Sequence, residues 1–440
     1  MITQEKEINQ QPISSIQNTG FTSSIWQDAL LPYLGTRLVL VLVGLFADFY
    51  ILPLLKSNSL LSSVALNTRF PGALWLMWNH FDAGFYVDIA INGYWPASTL
   101  HTMSNWIFLP LFPMLIYPLG HLFGGSVAAF NIGGIVISNL AGLVAVTYLY
   151  LLVRREFDTR TASRTVFYLA LFPTSFYLSA IYPESLFLAC ALACIYYARQ
   201  HRWWLAGLCG ALASLTRIQG FLLIVPVAWE YWQALSDLYS PLPDMSGMTL
   251  SQKAYAWLHS RCLGLALASE SLRNWLNALA IVLIPFGMVP FFIYSQIKTG
   301  DFLATIHNHH TGWGRHFEFP WQVLTDALQH PQSPNPLNWN FWLLNIIVIF
   351  VFLGFTIWSL RRLPMIYSLY TLVMVLMPLS TASINSISRY YLVVFPAFML
   401  LALWSNSDKR PARHSLVIAL FAPLLAVFMI FYVLGLPLIA

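Results

Sequence analysis

Asp82 stands in the stretch Trp78-Asn79-His80-Phe81-Asp82-Ala83-Gly84-Phe85-Tyr86, flanked by aromatic residues and followed by small ones that let a substrate approach. A carboxylate so placed can serve as a general base, accepting the proton of a hydroxyl as its oxygen attacks. The same residue also opens a run with helical apolar spacing at Phe85, Tyr86 and Ile89, so a helix N-cap is an equal reading. Glu184, in Tyr182-Pro183-Glu184-Ser185, lies at an ordinary helix start, where the macrodipole favours an acidic residue. Its functional reading is to orient an incoming hydroxyl or a sugar in the cavity that Asp82 faces. Arg217, between two apolar halves, and Arg389, at the end of another apolar run, are of the type that grips phosphate with a two-pronged fork. Snorkelling to lipid headgroups is the alternative, above all for Arg389. The segment Gly312-Trp313-Gly314-Arg315-His316 offers Trp313 to stack on a sugar and Arg315 and His316 to hold polar groups. The cluster His307-Asn308-His309-His310 lacks the regular spacing of a zinc site, so no metal is expected.

The elements that must position these residues are membrane helices. Of 440 residues, 58% are hydrophobic and only 9% charged, well below the quarter that keeps a soluble domain wet. The formal net charge of +5 does not point to nucleic acid, because Lys and Arg fall mostly in short loops between apolar runs, where they set orientation. Cys190, Cys194 and Cys209 lie within apolar runs and Cys262 in a loop, which gives no disulfide framework. Residues 1–31 read as a polar cytoplasmic tail without a secretory signal peptide, and residues 32–440 as the transmembrane domain.

Runs long enough to cross about 30 Å of hydrocarbon fall near 33–55, 126–152, 275–297, 341–360 and 414–437. Shorter ones fall at 166–182, 183–198, 203–217, 218–234, 363–380 and 390–404. Short adjacent spans suit the lining of a cavity, where lipid does not have to be faced. Basic residues cluster at Arg154 to Arg164, Arg199 and Arg202, Lys253 to Arg273, Arg361 and Arg362, and Lys409 to Arg413, and all are expected in the cytoplasm. That requires the run Trp106 to Phe123, broken by Pro110, Pro113 and Pro118, to lie in the first external loop rather than to span. The result is an all-α polytopic protein of about eleven spans, with external loops at 56–125 and 298–340. Asp82, Glu184, Arg217, Arg315 and Arg389 then share the non-cytoplasmic side.

These segments carry a resemblance. Phe81-Asp82-x-x-Phe85-Tyr86, Phe108-Leu109-Pro110-Leu111-Phe112-Pro113, Leu171-Phe172-Pro173-Thr174-Ser175, Tyr182-Pro183-Glu184-Ser185, Leu215-Thr216-Arg217-x-x-Gly220, Trp313-Gly314-Arg315-His316 and Ser388-Arg389-Tyr390-Tyr391 occur in order over residues 33–405. Together they resemble the GPI mannosyltransferase II (PIG-V) family, within the GT-C class of polyprenyl-phosphate-sugar-dependent membrane glycosyltransferases. The resemblance implies a GT-C-like fold with Asp82 as catalytic base, Glu184 in the second-loop acidic motif, and Arg217 and Arg389 where such enzymes meet the lipid phosphate. It implies no cofactor, a polyprenyl-phosphate-sugar donor, a glycolipid or glycan acceptor, and a site in a bacterial plasma membrane or a eukaryotic ER membrane. Phe81 stands where the family often has Trp, and Pro183 where it often has Ser, so an acceptor of the GPI type does not carry over. The expected reaction is inverting transfer of a hexose, most simply mannose. A transporter or lipid flippase is the alternative; it would place its charges near the bilayer midplane on broken helices. A membrane O-acyltransferase using a His of the 307–316 region is a third reading.

Overall fold

The computed structural model describes residues 24–57, 70–330, 336–406 and 410–436. Most of the expected tail, residues 58–69 and 331–335 of the two long loops expected outside, Lys409 and the end of the last apolar run lie outside the described residues. Every regular element among the described residues is helical. Four helices are long and apolar enough to cross a membrane: α1 (Trp26–Leu55), α4 (Val127–Glu156), α14 (Phe341–Arg362) and α18 (Ala412–Val433). The chain is an integral membrane protein of the all-α class.

The remaining expected spans differ from straight rods. The run at 275–297 is a bent pair, α10 (Leu272–Phe286) and α11 (Val289–Thr299), turned by 41°. Pro285 and Pro290 each remove a backbone donor there, and a Cβ on Gly287 would collide with the backbone of Ala211 on the helix alongside. A second pair, Ile387–Val393 and α17 (Phe395–Ser405), bends by 73°; its first part contains the short α16 (Ile387–Tyr390). Counting each pair once gives up to six spans, and three of the other expected spans are short apolar helices, α6 (Glu184–Ala198), α7 (Trp203–Thr216) and α15 (Met365–Leu379). The runs expected at 166–182 and 218–234 are each divided between an α-helix and a 3-10 turn. The run around Trp106 to Phe123 yields only α3 (Leu111–Leu122), with Pro118 inside it, too short to span.

Helices that stop inside a membrane protein leave carbonyls that need donors. Helix α5 (Thr159–Leu171) ends before Phe172-Pro173, and buried Arg37 of α1 fills the gap. Its guanidinium donates to the carbonyls of Ala170 at 2.7 Å and Ser175 at 2.5 Å, and to Ser175 Oγ at 3.0 Å. Helix α6 begins nearby, after Pro183. Helix α7 runs against α6 on one side and α10 on the other, with Gly207 admitting the backbone of Ala280. At the opposite end of α6, Arg199 holds Glu156 by two hydrogen bonds of 2.8 and 2.9 Å and Glu230 by one of 2.5 Å, tying α4 and α6 to α8 (Ile224–Tyr239). The stretch with Lys253 and Arg261, expected as a loop, contains the long helix α9 (Leu250–Ala268), opened by a Thr249–Gln252 capping box.

Candidate active site

Helix α2 (Ala83–Asn92) begins immediately after Asp82, yet the Asp82 side chain makes no capping hydrogen bond. Its Oδ2 accepts from Arg389 Nη1 at 2.7 Å instead. The N-cap reading of this carboxylate is therefore not what the structure shows. The backbone is held for that purpose. Phe81 has φ +55°, a left-handed conformation unfavourable for a bulky residue. The Asp82 N–H donates to the Tyr182 hydroxyl at 3.1 Å, which donates to the His80 carbonyl at 2.9 Å. The segment around Asp82 is thereby fixed to the turn that precedes Glu184.

Glu184, at the start of α6, is wholly buried. Its Oε1 accepts from Arg217 Nη1 and lies 3.6 Å from Arg389 Nε, so one carboxylate oxygen sits between two guanidiniums. Arg217 reaches it because α7 stops at Thr216: Arg217 itself is extended, and a 3-10 turn, Ile218–Leu223, follows. That return is tight enough for a Cβ on Gly220 to overlap the backbone of Ala213. Gln219 Oε1 accepts from Arg217 Nε at 2.8 Å and completes the grip. Arg389 sits on α16, which starts from Ser386 in a left-handed conformation, and is nearly as buried as Glu184.

A cavity of about 910 Å³ opens over these groups, lined by Asp82, Glu184, Arg217, Arg315, Arg389 and Tyr390 among others. The structure thus gathers six of the seven site residues expected from sequence, all but Trp313, around one cavity and adds Tyr390, which sequence reasoning quoted but gave no role. Three guanidiniums surround its ring: the Cζ atoms of Arg217, Arg389 and Arg315 lie 5.0, 5.1 and 5.9 Å from the ring centre. Its hydroxyl accepts from Arg315 Nη1 at 3.2 Å and Arg389 Nη2 at 3.4 Å. Tyr86, one helical turn beyond Asp82 on the same face, also lines the cavity, and the i, i+4 spacing could have found it.

The loop with Arg315 forms the far wall. Helix α12 (Ala304–Thr311) is pinned to the first loop by Asn308 Nδ2, which donates to the carbonyls of Leu100 and Thr102 at 2.7 and 2.9 Å. Trp313 does not line the cavity. Its indole N–H donates to the Ser104 carbonyl at 3.0 Å and its ring packs on Phe85 and Phe108, so it fixes the loop rather than presenting a face for a sugar. His316 does line the cavity and is exposed, with its ring 5.9 Å from that of His310. His307 pairs with Asp301 at 2.7 Å, and among the described residues no three His, Cys, Asp or Glu side chains gather as a metal site. His309, partly buried behind Arg315, is pushed down to about 4, by burial first and by the Arg315 charge second.

Comparison with known proteins adds two sequence matches. Residues 110–251 match the family model described as dolichyl-phosphate-mannose-protein mannosyltransferase. Over 190 residues the chain is 28% identical to GPI mannosyltransferase 2 of Schizosaccharomyces pombe. In both matches the chain is similar to mannosyltransferases. The second match covers 43% of this chain and 38% of the yeast protein, so the chain spans less than half of its relative's length. Among solved structures, ArnT from Cupriavidus metallidurans bound to undecaprenyl phosphate aligns with a TM-score of 0.45 at 14% identity, over 83% of this chain and 74% of that one. The oligosaccharyltransferase AglB of Archaeoglobus fulgidus, in complex with an inhibitory peptide and a dolichol-phosphate, aligns at 0.44 and 15%, over 92% and 56%. Likeness at this level transfers no chemistry between the chains.

Proposed function

We propose that the chain is a membrane glycosyltransferase that moves a hexose, mannose in the simplest case, from a polyprenyl-phosphate carrier to a hydroxyl on the non-cytoplasmic side, with inversion. The observation that carries this reading is a single one: Arg389 bonds Asp82, a partly exposed carboxylate of the cavity, while sharing Tyr390 with Arg217 and Arg315. A base and a phosphate cradle lie within one side chain's reach of each other, as displacement at a sugar carbon beside a phosphate requires.

Asp82 Oδ2 is held by Arg389, and no hydrogen bond among the described residues uses Oδ1, which is left to take the acceptor's proton. As the acceptor oxygen bonds to the anomeric carbon from one face, the bond to the phosphate oxygen breaks on the other, and the configuration inverts. Arg217, Arg315 and Arg389 stabilise the charge that grows on the departing phosphate. Phosphate leaves without a general acid. Glu184, with its Oε1 between two guanidiniums, serves to hold them side by side rather than to touch the sugar. A lipid-borne donor fits a site at the membrane, since nucleotide sugars stay in the cytoplasm.

The test is purified protein in detergent, radiolabelled polyprenyl-phosphate-mannose, and a panel of glycan and glycolipid acceptors. Label in an acceptor supports the reading. Absence of transfer to every acceptor refutes it.

A further inference from the structure

Three cations around one phenol ring need anions, and the cluster holds too few. Arg217 pairs with Glu184 and Arg389 with Asp82, but among the described residues Arg315 has no carboxylate in ion-pair range. Among the described residues the one side-chain hydrogen bond of its guanidinium goes to the Tyr390 hydroxyl. That hydroxyl can accept two hydrogen bonds and donate one. Both acceptor positions are taken, by Arg315 at 3.2 Å and Arg389 at 3.4 Å, and no described residue accepts its own hydrogen. Tyr390 lines the cavity. An O–H donor backed by two guanidiniums, one of which, Arg315, has no carboxylate partner among the described residues, is complementary to an oxyanion with more than one charged oxygen.

We propose that Tyr390 is a phosphate-contacting residue: its hydroxyl, fixed from behind by Arg315 and Arg389, donates to an oxygen of the lipid phosphate and favours the departing monoester over the incoming diester. This rests on the reading of the arginines as a phosphate cradle. In the step itself the sugar carbon–oxygen bond breaks, its electron pair stays on the phosphate oxygen, and a singly charged diester becomes a doubly charged monoester. The proton stays on Tyr390 throughout, and its hydrogen bond shortens as the charge rises.

The experiment compares affinity for polyprenyl phosphate with that for its methyl diester, near pH 8, where the monoester is a dianion. Tyr390→Phe keeps the ring beneath the arginines and removes only the hydroxyl. It should weaken the monoester about tenfold to a hundredfold and the diester far less, with the unfolding temperature unchanged. Equal weakening of both ligands would mean that Tyr390 only arranges the arginines, and no weakening would remove it from the site; either overturns the proposal. Arg389→Ala, measured in parallel, separates the two levels. If it binds both ligands as the wild type does, the phosphate reading of the cradle fails. If it loses both while Tyr390→Phe keeps both, the tyrosine's role alone fails.

Discussion

Replacing Asp82 by Asn separates a base from a charge partner, because the two roles predict opposite effects on the donor. Asn keeps the volume and still offers an oxygen to Arg389 across the 2.7 Å bond, but it cannot take a proton. If Asp82 is the base, turnover falls by at least about 10²-fold. The stability change is smaller: a charge-assisted hydrogen bond becomes a neutral-acceptor one, a loss of about 1–2 kcal/mol, softened because Asp82 keeps 26% of its side chain exposed. Donor affinity should hold or rise, since the variant frees part of the Arg389 charge for the phosphate. Asp82→Glu moves the carboxylate outward by a methylene and should also lose most of the rate, because the proton must be met within hydrogen-bond reach. The assay is initial transfer rate with donor binding and unfolding temperature on the same preparations. An Asn variant that transfers sugar at the wild-type rate refutes the mechanism; one that loses donor affinity in step with rate makes Asp82 a holder of Arg389 instead.

Arg217→Ala and Arg389→Ala should raise the donor KM by about tenfold or more while leaving acceptor KM nearly unchanged, and Lys should rescue only partly because it keeps the charge without the fork; equal loss for both substrates would mark a structural role. A single cysteine introduced at Ser163 should be labelled only from the cytoplasmic side, and labelling only from outside would overturn the proposed sidedness of Asp82 and Glu184. For His309 the sign is set by its lowered pKa of about 4 against an ordinary 6.5: between these values the unfolded chain binds the proton and the folded one does not. Stability should therefore decline as pH falls from about 6.5 toward 4. In His309→Gln that part of the decline should vanish from the unfolding temperature measured against pH.

Asp82, Glu184, Arg217 and Arg389 were legible because each lies where the chain advertises a break: Gly84 after Asp82, Pro183 before Glu184, Gly220 after Arg217, and a polar stretch before Arg389. A charged residue at such a break in so apolar a chain has few reasons to be there. Tyr390 gave no such sign, being one of 21 tyrosines, and its importance comes from three arginines brought together from distant parts of the chain. Arg37 was hidden inside an apolar run, since its partners are carbonyls, which sequence does not reveal as unpaired. Trp313 was misjudged because an aromatic beside Gly and Arg reads alike whether it faces a ligand or pins a loop. The bend at 275–297 was marked by Pro285, Gly287 and Pro290, and apolar length alone outweighed those marks. Helix α9 escaped because its apolar residues follow no single stripe.

The position of Arg389 between Asp82 and the phosphate cradle gives the proposed reaction an internal counterion exchange. In the resting site the guanidinium is the partner of the Asp82 carboxylate. When that carboxylate accepts the acceptor's proton it becomes neutral, and its hold on Arg389 slackens. At the same moment the phosphate gains a negative charge on the other side. One cation can thus pass its allegiance from base to leaving group with almost no movement, so that each half of the displacement lowers the barrier to the other. Transfer to an acceptor and departure of the lipid phosphate become a single concerted event, and a donor bound without an acceptor stays intact because nothing has yet released the guanidinium from Asp82.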